Sequence, residues 1–104
     1  MKIIAKPRCS GKTTELIKLS ARTNTYILVL NRKRQKEVAR LADSMNMIIP
    51  YPVTLEDYMR TQFRGSFINH ILIDDADEIL QRFFNTIVID AITITEVNTN
   101  EDNN

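Results

Sequence analysis

Gly11, Lys12 and Thr13 lie where an apolar segment gives way to a helix-forming one, and residues of these types can bind a phosphate. Glycine lets the backbone approach the anion, the lysine ammonium reaches its outer oxygens, and the threonine hydroxyl is a ligand for Mg²⁺. The amides that open the following helix point at the same anion. We therefore predict a nucleotide-binding loop formed by Pro7, Arg8, Cys9, Ser10, Gly11, Lys12, Thr13 and Thr14.

Lys6 stands where the full form of this loop has a glycine. A residue with a Cβ resists positive φ, so Lys6 indicates a wider turn at this end of the loop. Two interpretations are open: Lys6 is tolerated at the loop entrance, which we favour, or its ammonium adds positive charge near a triphosphate. The loop pattern itself matches at Gly11, Lys12 and Thr13.

Two acids, Asp74 and Asp75, follow the apolar run at 71–73. A carboxylate that ends a strand beside a phosphate loop holds Mg²⁺ directly or through water, and a neighbouring acid can orient the attacking water. We predict that Thr13 and Asp74 are magnesium ligands and that Lys12 and Asp75 are catalytic. The alternative is a solvated strand end or a helix cap, because Asp favours caps. The joint occurrence of both motifs favours the site.

Composition limits the classes of function. The chain has 104 residues, with 14 Lys and Arg against 13 Asp and Glu and a net charge of +1, so no global charge favours nucleic acid or membrane. One cysteine and one histidine exclude an internal disulfide and argue against structural zinc. No apolar run is long enough for a signal peptide or a bilayer span. We expect a cytoplasmic protein without a membrane anchor.

Strands and helices alternate along the sequence, which predicts an α/β domain with a mainly parallel sheet and its ligand at the carboxyl ends of the strands. We expect about five strands, at 2–5, 26–30, 47–49, 71–73 and 87–95. Asn31 is the expected cap of a helix with one buried stripe, and Thr54 the expected cap of a short helix. The last helix is expected to carry an apolar face formed by Ile79, Leu80, Phe83 and Phe84.

The run at 7–17 resembles the phosphate loop of thymidine kinases with a RecA-like core, whose metal-binding strand also ends in two acids. Those kinases carry a zinc-bearing lasso with several cysteines, which this chain lacks, so nucleoside kinase activity is not carried over. The order of elements over 26–75 resembles the first motor lobe of superfamily 1 helicases, where the strand matching 72–75 ends in Asp-Glu. Because Asp75 is shorter than that glutamate, we expect hydrolysis to be slow or absent.

Over nearly its full length the chain resembles short nucleotide-binding proteins of phages and prophages of Gram-positive bacteria. This resemblance implies a small P-loop NTPase: a three-layer α/β, RecA-like domain at 1–95. Residues 96–104, rich in Asn and acid, are expected to form a disordered tail. Our first hypothesis is a Mg²⁺-dependent ATP-binding protein and weak ATPase of phage origin, acting with a partner in DNA metabolism. The alternative is a catalytically inactive, nucleotide-gated protein-interaction module, which Lys6 and Asp75 favour.

Several cationic and hydroxyl side chains are further candidates. No arginine finger is assigned within the chain, so we expect a protein partner or a second copy to supply one. Thr93 and Thr95 are candidate γ-phosphate sensors at the end of the last strand, although Thr also simply suits strands. A basic cluster occupies the position of the first DNA-contacting motif of the helicases, but no aromatic residue is interleaved to stack bases, and a solvated helix face is the alternative. This cluster consists of Arg32, Lys33, Arg34 and Lys36.

Overall fold

The computed structural model of the chain describes residues 3–5, 11–60, 70–84 and 89–93. Within these ranges three short strands and four helices alternate. In chain order they are α1 Lys12–Thr23, β1 Ile27–Val29, α2 Arg32–Ser44, β2 Val53–Thr54, α3 Leu55–Met59, β3 Leu72–Ile73 and α4 Ala76–Phe83. No helix in the described part of the chain is long and apolar enough to cross a membrane.

The three strands form one parallel sheet in the order β2-β1-β3. β1 is central and completely buried, which suits its Ile-Leu-Val sequence. The ladder between β1 and β3 continues beyond β3, because the Asp74 amide donates to the Leu28 carbonyl at 3.0 Å. Since parallel strands end at the same edge, this pairing brings Asp74 and the end of β1 together at the carboxyl edge of the sheet.

The sheet separates two apolar clusters, because successive β1 side chains point to opposite faces. Ile27 and Val29 pack with residues of α1 and α2, while Leu28 packs with residues of β2, α3 and α4. The α1 residues in the core are those expected from helical spacing, and Leu16, Ile17 and Ser20 are all buried. The sheet therefore has helices on both faces, and the first turns of α1 and α2 lie at its carboxyl edge.

The prediction of a RecA-like domain with about five strands is wrong, because the described residues form four helices and a sheet of only three parallel strands. Residues 3–5, 47–49 and 89–93 were expected to be strands and form none. The run at 47–49 follows Asn46, whose left-handed φ of 56° ends α2 in a turn, and its central Ile48 is 92 % exposed. The remaining residues of the expected first and last strands lie outside the described ranges, as does the tail at 96–104.

Two helix caps predicted from the sequence are confirmed. The Asn31 side chain accepts a hydrogen bond from the Arg34 amide at 2.9 Å, and the Thr54 hydroxyl accepts one from the Asp57 amide at 3.0 Å. Both residues satisfy amides that have no partner inside their helix. Of the apolar face of the last helix, Ile79 is buried and the other members are exposed: Leu80, Phe83 and Phe84.

Asn31→Ala is expected to lower the free energy of unfolding by about 1 kcal/mol, because it removes the acceptor that caps α2. Urea denaturation followed by circular dichroism measures this change. Asn31→Ser keeps an acceptor oxygen and should lose less than half as much. Equal stability of Asn31→Ala and wild type would show that this cap does not hold the first turn of α2.

Candidate functional site

The first turns of α1 and α2 and the loop after β3 surround a cavity of about 780 Å³ at the carboxyl edge of the sheet. Its walls contain the described part of the predicted loop, Gly11, Lys12, Thr13 and Thr14, and one of the predicted acids, Asp75. Crevices at this edge are the usual ligand positions of open parallel sheets. The cavity therefore lies where the sequence places a nucleotide.

Gly11 precedes α1 with a left-handed φ of 88°. No atom lies within 4 Å of the position that a Cβ would take, so backbone conformation and not space requires glycine there. The other loop residues of the prediction, Pro7, Arg8, Cys9 and Ser10, lie outside the described ranges, as does Lys6. Their contact with phosphate stays a prediction.

Thr13 and Asp74 meet across 61 positions of sequence, because α1 begins beside the end of β3. The Thr13 hydroxyl donates to Asp74 Oδ1 at 3.2 Å, and Asp74 is only 2 % exposed. Asp74 is therefore not the solvated strand end that was the alternative interpretation. The two residues predicted to bind one Mg²⁺ ion present their oxygen atoms to each other.

Lys12 and Asp75 form a second contact at the same edge, with 3.5 Å between Lys12 Nζ and Asp75 Oδ1. Asp75 is the residue before α4, yet its side chain makes no capping hydrogen bond to that helix. Its φ of 54° is left-handed, a conformation that Asp tolerates better than most residues and that is enriched at functional sites. The carboxylate thus points to the cations of the cavity and not to the helix behind it.

Arg34 joins these residues into one network, a role that was not predicted from the sequence. Its Nη2 donates to Thr13 Oγ1 at 2.7 Å and lies 2.9 Å from Asp74 Oδ2, to which its Nε also donates at 3.1 Å. Arg34 Nε lies 3.6 Å from Asp75 Oδ2, and Nη1 donates to Glu37 Oε1 at 3.2 Å. One guanidinium therefore contacts both predicted magnesium ligands and the predicted catalytic acid.

The structure separates Arg34 from the other predicted nucleic-acid residues. Arg32, Lys33 and Lys36 are exposed, and Arg32 lies 3.9 Å from a carboxylate oxygen of Asp57. DNA contact stays a prediction for these three residues. The Asn31 cap lies two residues after β1, and it places the first turn of α2 at the sheet edge that carries Asp74. This position was the signal that could have identified Arg34.

Burial raises the pKa of Asp74 above its usual range, and the charge of Asp75 acts in the same direction, while Arg34 and Thr13 oppose the increase. Burial lowers the pKa of Arg34, but Asp74, Glu37 and Asp75 together raise it above its usual value. Burial outweighs the neighbouring charges at Asp74 but not at Arg34, because the Asp74 side chain is 1 % exposed and that of Arg34 is 31 % exposed. Arg34 is therefore a permanent cation, and its charge stabilises the ionised form of the buried Asp74 carboxylate.

The donor atoms of Thr13 and Asp74 are of the type that Mg²⁺ prefers, a hydroxyl and a carboxylate oxygen. Within the described ranges no three His, Cys, Asp or Glu residues converge as a metal-binding group. Mg²⁺ at nucleotide sites is commonly held by one or two carboxylates together with phosphates and water, so a protein cage is not required. Thr13 and Asp74 fit this kind of shared site and would hold the ion.

Of the two predicted γ-phosphate sensors, the structure describes Thr93. Thr93 is exposed and lies in no strand, so the strand that should have carried it to the cavity is absent from the described residues around it. Thr95 lies outside the described ranges. The sensor role of both hydroxyls stays a prediction.

No protein-family model, curated protein or solved structure matches the chain. The likeness to phosphate loops, helicase lobes and phage proteins thus rests on the sequence motifs alone. Function has to be argued from the site, since a fold by itself does not specify an activity.

Proposed function

We propose that the chain binds Mg²⁺-ATP at the carboxyl edge of its sheet and is a weak P-loop ATPase of phage origin that acts with a partner in DNA metabolism. The observation that carries this proposal is the convergence of Lys12, Thr13, Asp74 and Asp75 on one edge, through the Thr13–Asp74 and Lys12–Asp75 contacts. These residues come from two motifs far apart in sequence. Their types are those that bind and hydrolyse nucleoside triphosphates.

Each residue has a role that follows from its chemistry. Lys12 and the first amides of α1 bind phosphate oxygens, with Gly11 supplying the left-handed turn that aims those amides. Thr13 and Asp74 would hold Mg²⁺, which when bound neutralises charge on the phosphate oxygens. Asp75 orients the attacking water. The cavity volume of about 780 Å³ lies within the range of small-molecule sites.

Isothermal titration calorimetry with ATP and with GTP, each with and without Mg²⁺, tests the binding step. We expect saturable binding of the nucleotide that depends on Mg²⁺, because the ion joins the phosphates to Asp74. Comparison of the two nucleotides then reports the base preference. Absence of binding by both nucleotides in the presence of Mg²⁺ would contradict the proposed function.

A second candidate function is a catalytically inactive module whose contacts with another protein depend on the bound nucleotide. The observation that favours it is the position of Asp75, whose carboxylate contacts Lys12 and Arg34 and whose side chain is shorter than the usual glutamate. A short base held by two cations places the attacking water poorly. Under this alternative the chain binds ATP without turnover.

Asp75→Ala separates the two functions. If the chain is an ATPase, this variant should lose at least about tenfold in the rate of phosphate release, the lower end for removal of a general base. Its affinity for Mg²⁺-ATP should change by less than about fivefold, because the loss of Asp75 frees Lys12 for the phosphates. Asp77→Ala, an exposed acid in the first turn of α4, is the matched control and should resemble wild type. Equal phosphate release by Asp75→Ala and wild type would exclude Asp75 as the base.

A further inference from the structure

Arg34 contacts the atoms that a divalent cation would need. The Thr13 hydroxyl donates its proton to Asp74 Oδ1 and accepts from Arg34 Nη2 at 2.7 Å. Asp74 Oδ2 accepts from Arg34 Nε at 3.1 Å and lies 2.9 Å from Nη2. A guanidinium and a magnesium ion at Thr13 and Asp74 would be two neighbouring cations on the same few oxygen atoms, so they compete for these residues.

We propose that Arg34 is the internal counter-ion of this site: a divalent cation must displace its guanidinium from Thr13 and Asp74, and the released guanidinium then binds the phosphates of the nucleotide. This inference rests on the proposed function. It assigns to the chain its own arginine for the bound polyphosphate, in place of one that a partner would have to supply. Arg34 thereby couples the binding of the metal to the binding of the nucleotide.

The charges of the network explain why the coupling arises. Lys12 pairs with Asp75. Arg34 pairs with Asp74, Asp75 and Glu37, so every carboxylate of this network already has a cationic partner. A free divalent cation has to compete with these cations for the carboxylates, and it must also leave the guanidinium without its main partner. A polyphosphate offers the guanidinium a replacement, because planar arginine binds phosphate oxygens through two parallel hydrogen bonds. The metal is therefore expected to bind well only together with the anion.

The geometry of α2 allows the exchange without movement of the backbone. Asn31 caps the helix at the Arg34 amide, and the buried Gln35 donates to the Pro52 carbonyl at 2.7 Å. Both contacts fix the first turn of α2 beside the cavity. The Arg34 side chain itself is 31 % exposed and lines the cavity that contains Lys12. Rotation of one long side chain is thus enough to move the guanidinium from the acids towards a bound phosphate.

Titration with Mn²⁺ in the absence of nucleotide, followed by the electron paramagnetic resonance of the free ion, tests the competition. Arg34→Ala should bind Mn²⁺ about tenfold more tightly than wild type, since the competing hydrogen bonds to a charged group are lost. Arg34→Lys keeps the charge but lacks the fork, and it should also bind Mn²⁺ more tightly than wild type. Arg40→Ala removes an exposed cation from the same helix and should match wild type.

Calorimetry with Mg²⁺-ATP tests the second half of the inference. Arg34→Ala should bind Mg²⁺-ATP about tenfold more weakly than wild type, although it binds the metal alone more tightly. These opposite changes distinguish a phosphate contact from a merely structural role, which would not improve metal binding. Mn²⁺ affinity in Arg34→Ala equal to that of wild type overturns the inference. Unchanged or tighter Mg²⁺-ATP binding by this variant overturns it as well.

A measurement on wild type applies if Arg34→Ala does not fold. The Nε–H signal of Arg34 is identified by its loss in Arg34→Lys, and it should shift when Mg²⁺ and a non-hydrolysable ATP analogue are added. An Nε–H signal that stays unchanged at saturation overturns the inference. Because the Mn²⁺ titration contains no nucleotide, a wild type that binds no ATP contradicts the proposed function separately from the competition.

Discussion

Lys12→Ala raises the Kd for Mg²⁺-ATP by about 100-fold, because the ammonium of Lys12 is expected to contact charged phosphate oxygens and such hydrogen bonds are the strong ones. Calorimetry on the purified variant measures the change. The effect on stability should be small, below about 1 kcal/mol, since Lys12 is partly exposed and Asp75 keeps its contact with Arg34. A binding defect in a folded protein would therefore report the phosphate contact itself.

Lys18→Ala is the matched control for this variant. Lys18 is an exposed residue of α1, so its removal takes the same charge from the same helix without touching the cavity. Its Kd for Mg²⁺-ATP should remain within about twofold of wild type, as expected for a distant surface charge screened by salt. Equal affinities of Lys12→Ala and Lys18→Ala would contradict the assignment of the phosphate site.

Arg34→Ala lowers the free energy of unfolding by about 3 kcal/mol, the largest stability effect that we expect at the site. The reason is the nearly complete burial of Asp74, whose carboxylate would lose its main cationic partner. Asp74→Asn should cost less, about 1 kcal/mol, because Arg34 keeps Glu37 and Asp75 and has access to water. Urea denaturation measures both variants.

Two further variants and the dependence of stability on pH are the controls for this prediction. Arg40→Ala should leave stability within about 0.5 kcal/mol of wild type, and Arg34→Ala combined with Asp74→Asn should be more stable than Arg34→Ala alone. Loss of Arg34 raises the pKa of Asp74 further. A carboxyl group whose pKa is higher in the folded state destabilises the fold as pH rises from the unfolded pKa to the folded pKa. The deficit of Arg34→Ala should thus be smallest near about pH 4, the pKa of an unfolded aspartate, and should grow as pH rises above it. A deficit that grows in acid would contradict this explanation.

The pairing of the two motifs could be predicted because it depends on a general property of parallel sheets. An apolar run that ends in acids places those acids at the carboxyl edge, and a glycine-led helix start is placed at the same edge. Knowledge of the exact strand count was not needed. Lys12, Thr13, Asp74 and Asp75 are therefore together even though the five-stranded RecA-like prediction is wrong.

The sequence could not decide whether residues 3–5, 47–49 and 89–93 form strands, because apolar character does not specify a hydrogen-bonding partner. Ile4 and Met47, for example, pack against the apolar cluster that contains Ile27 and Val29 without belonging to a strand. The pattern of apolar residues indicates which side of a helix or strand is buried. Whether a segment belongs to a sheet depends on backbone hydrogen bonds to a second segment. Tertiary contacts decide that question.

The contact of Arg34 with Asp74 was not predicted, because helical spacing describes the middle of a helix better than its first turn. Along α2 the polar side of the helix faces solvent, as Lys36 and Arg40 do. In the first turn, however, a side chain can extend across the end of the neighbouring strand, and Arg34 reaches Asp74 in this way. Its partner lies 40 positions away, so no local pattern could reveal the contact.

Paramagnetic broadening by Mn²⁺-ATP in the amide nuclear magnetic resonance spectrum is the most direct test of the shared site. The amide signals of Gly11, Thr13 and Asp74 should broaden at the lowest concentrations of Mn²⁺-ATP, before that of Ser44 at the far end of α2. This result would place metal and nucleotide at the carboxyl edge of the sheet. Broadening that begins elsewhere, or that affects Ser44 as early as Thr13, would contradict the proposal that these two motifs bind one metal-bound nucleotide.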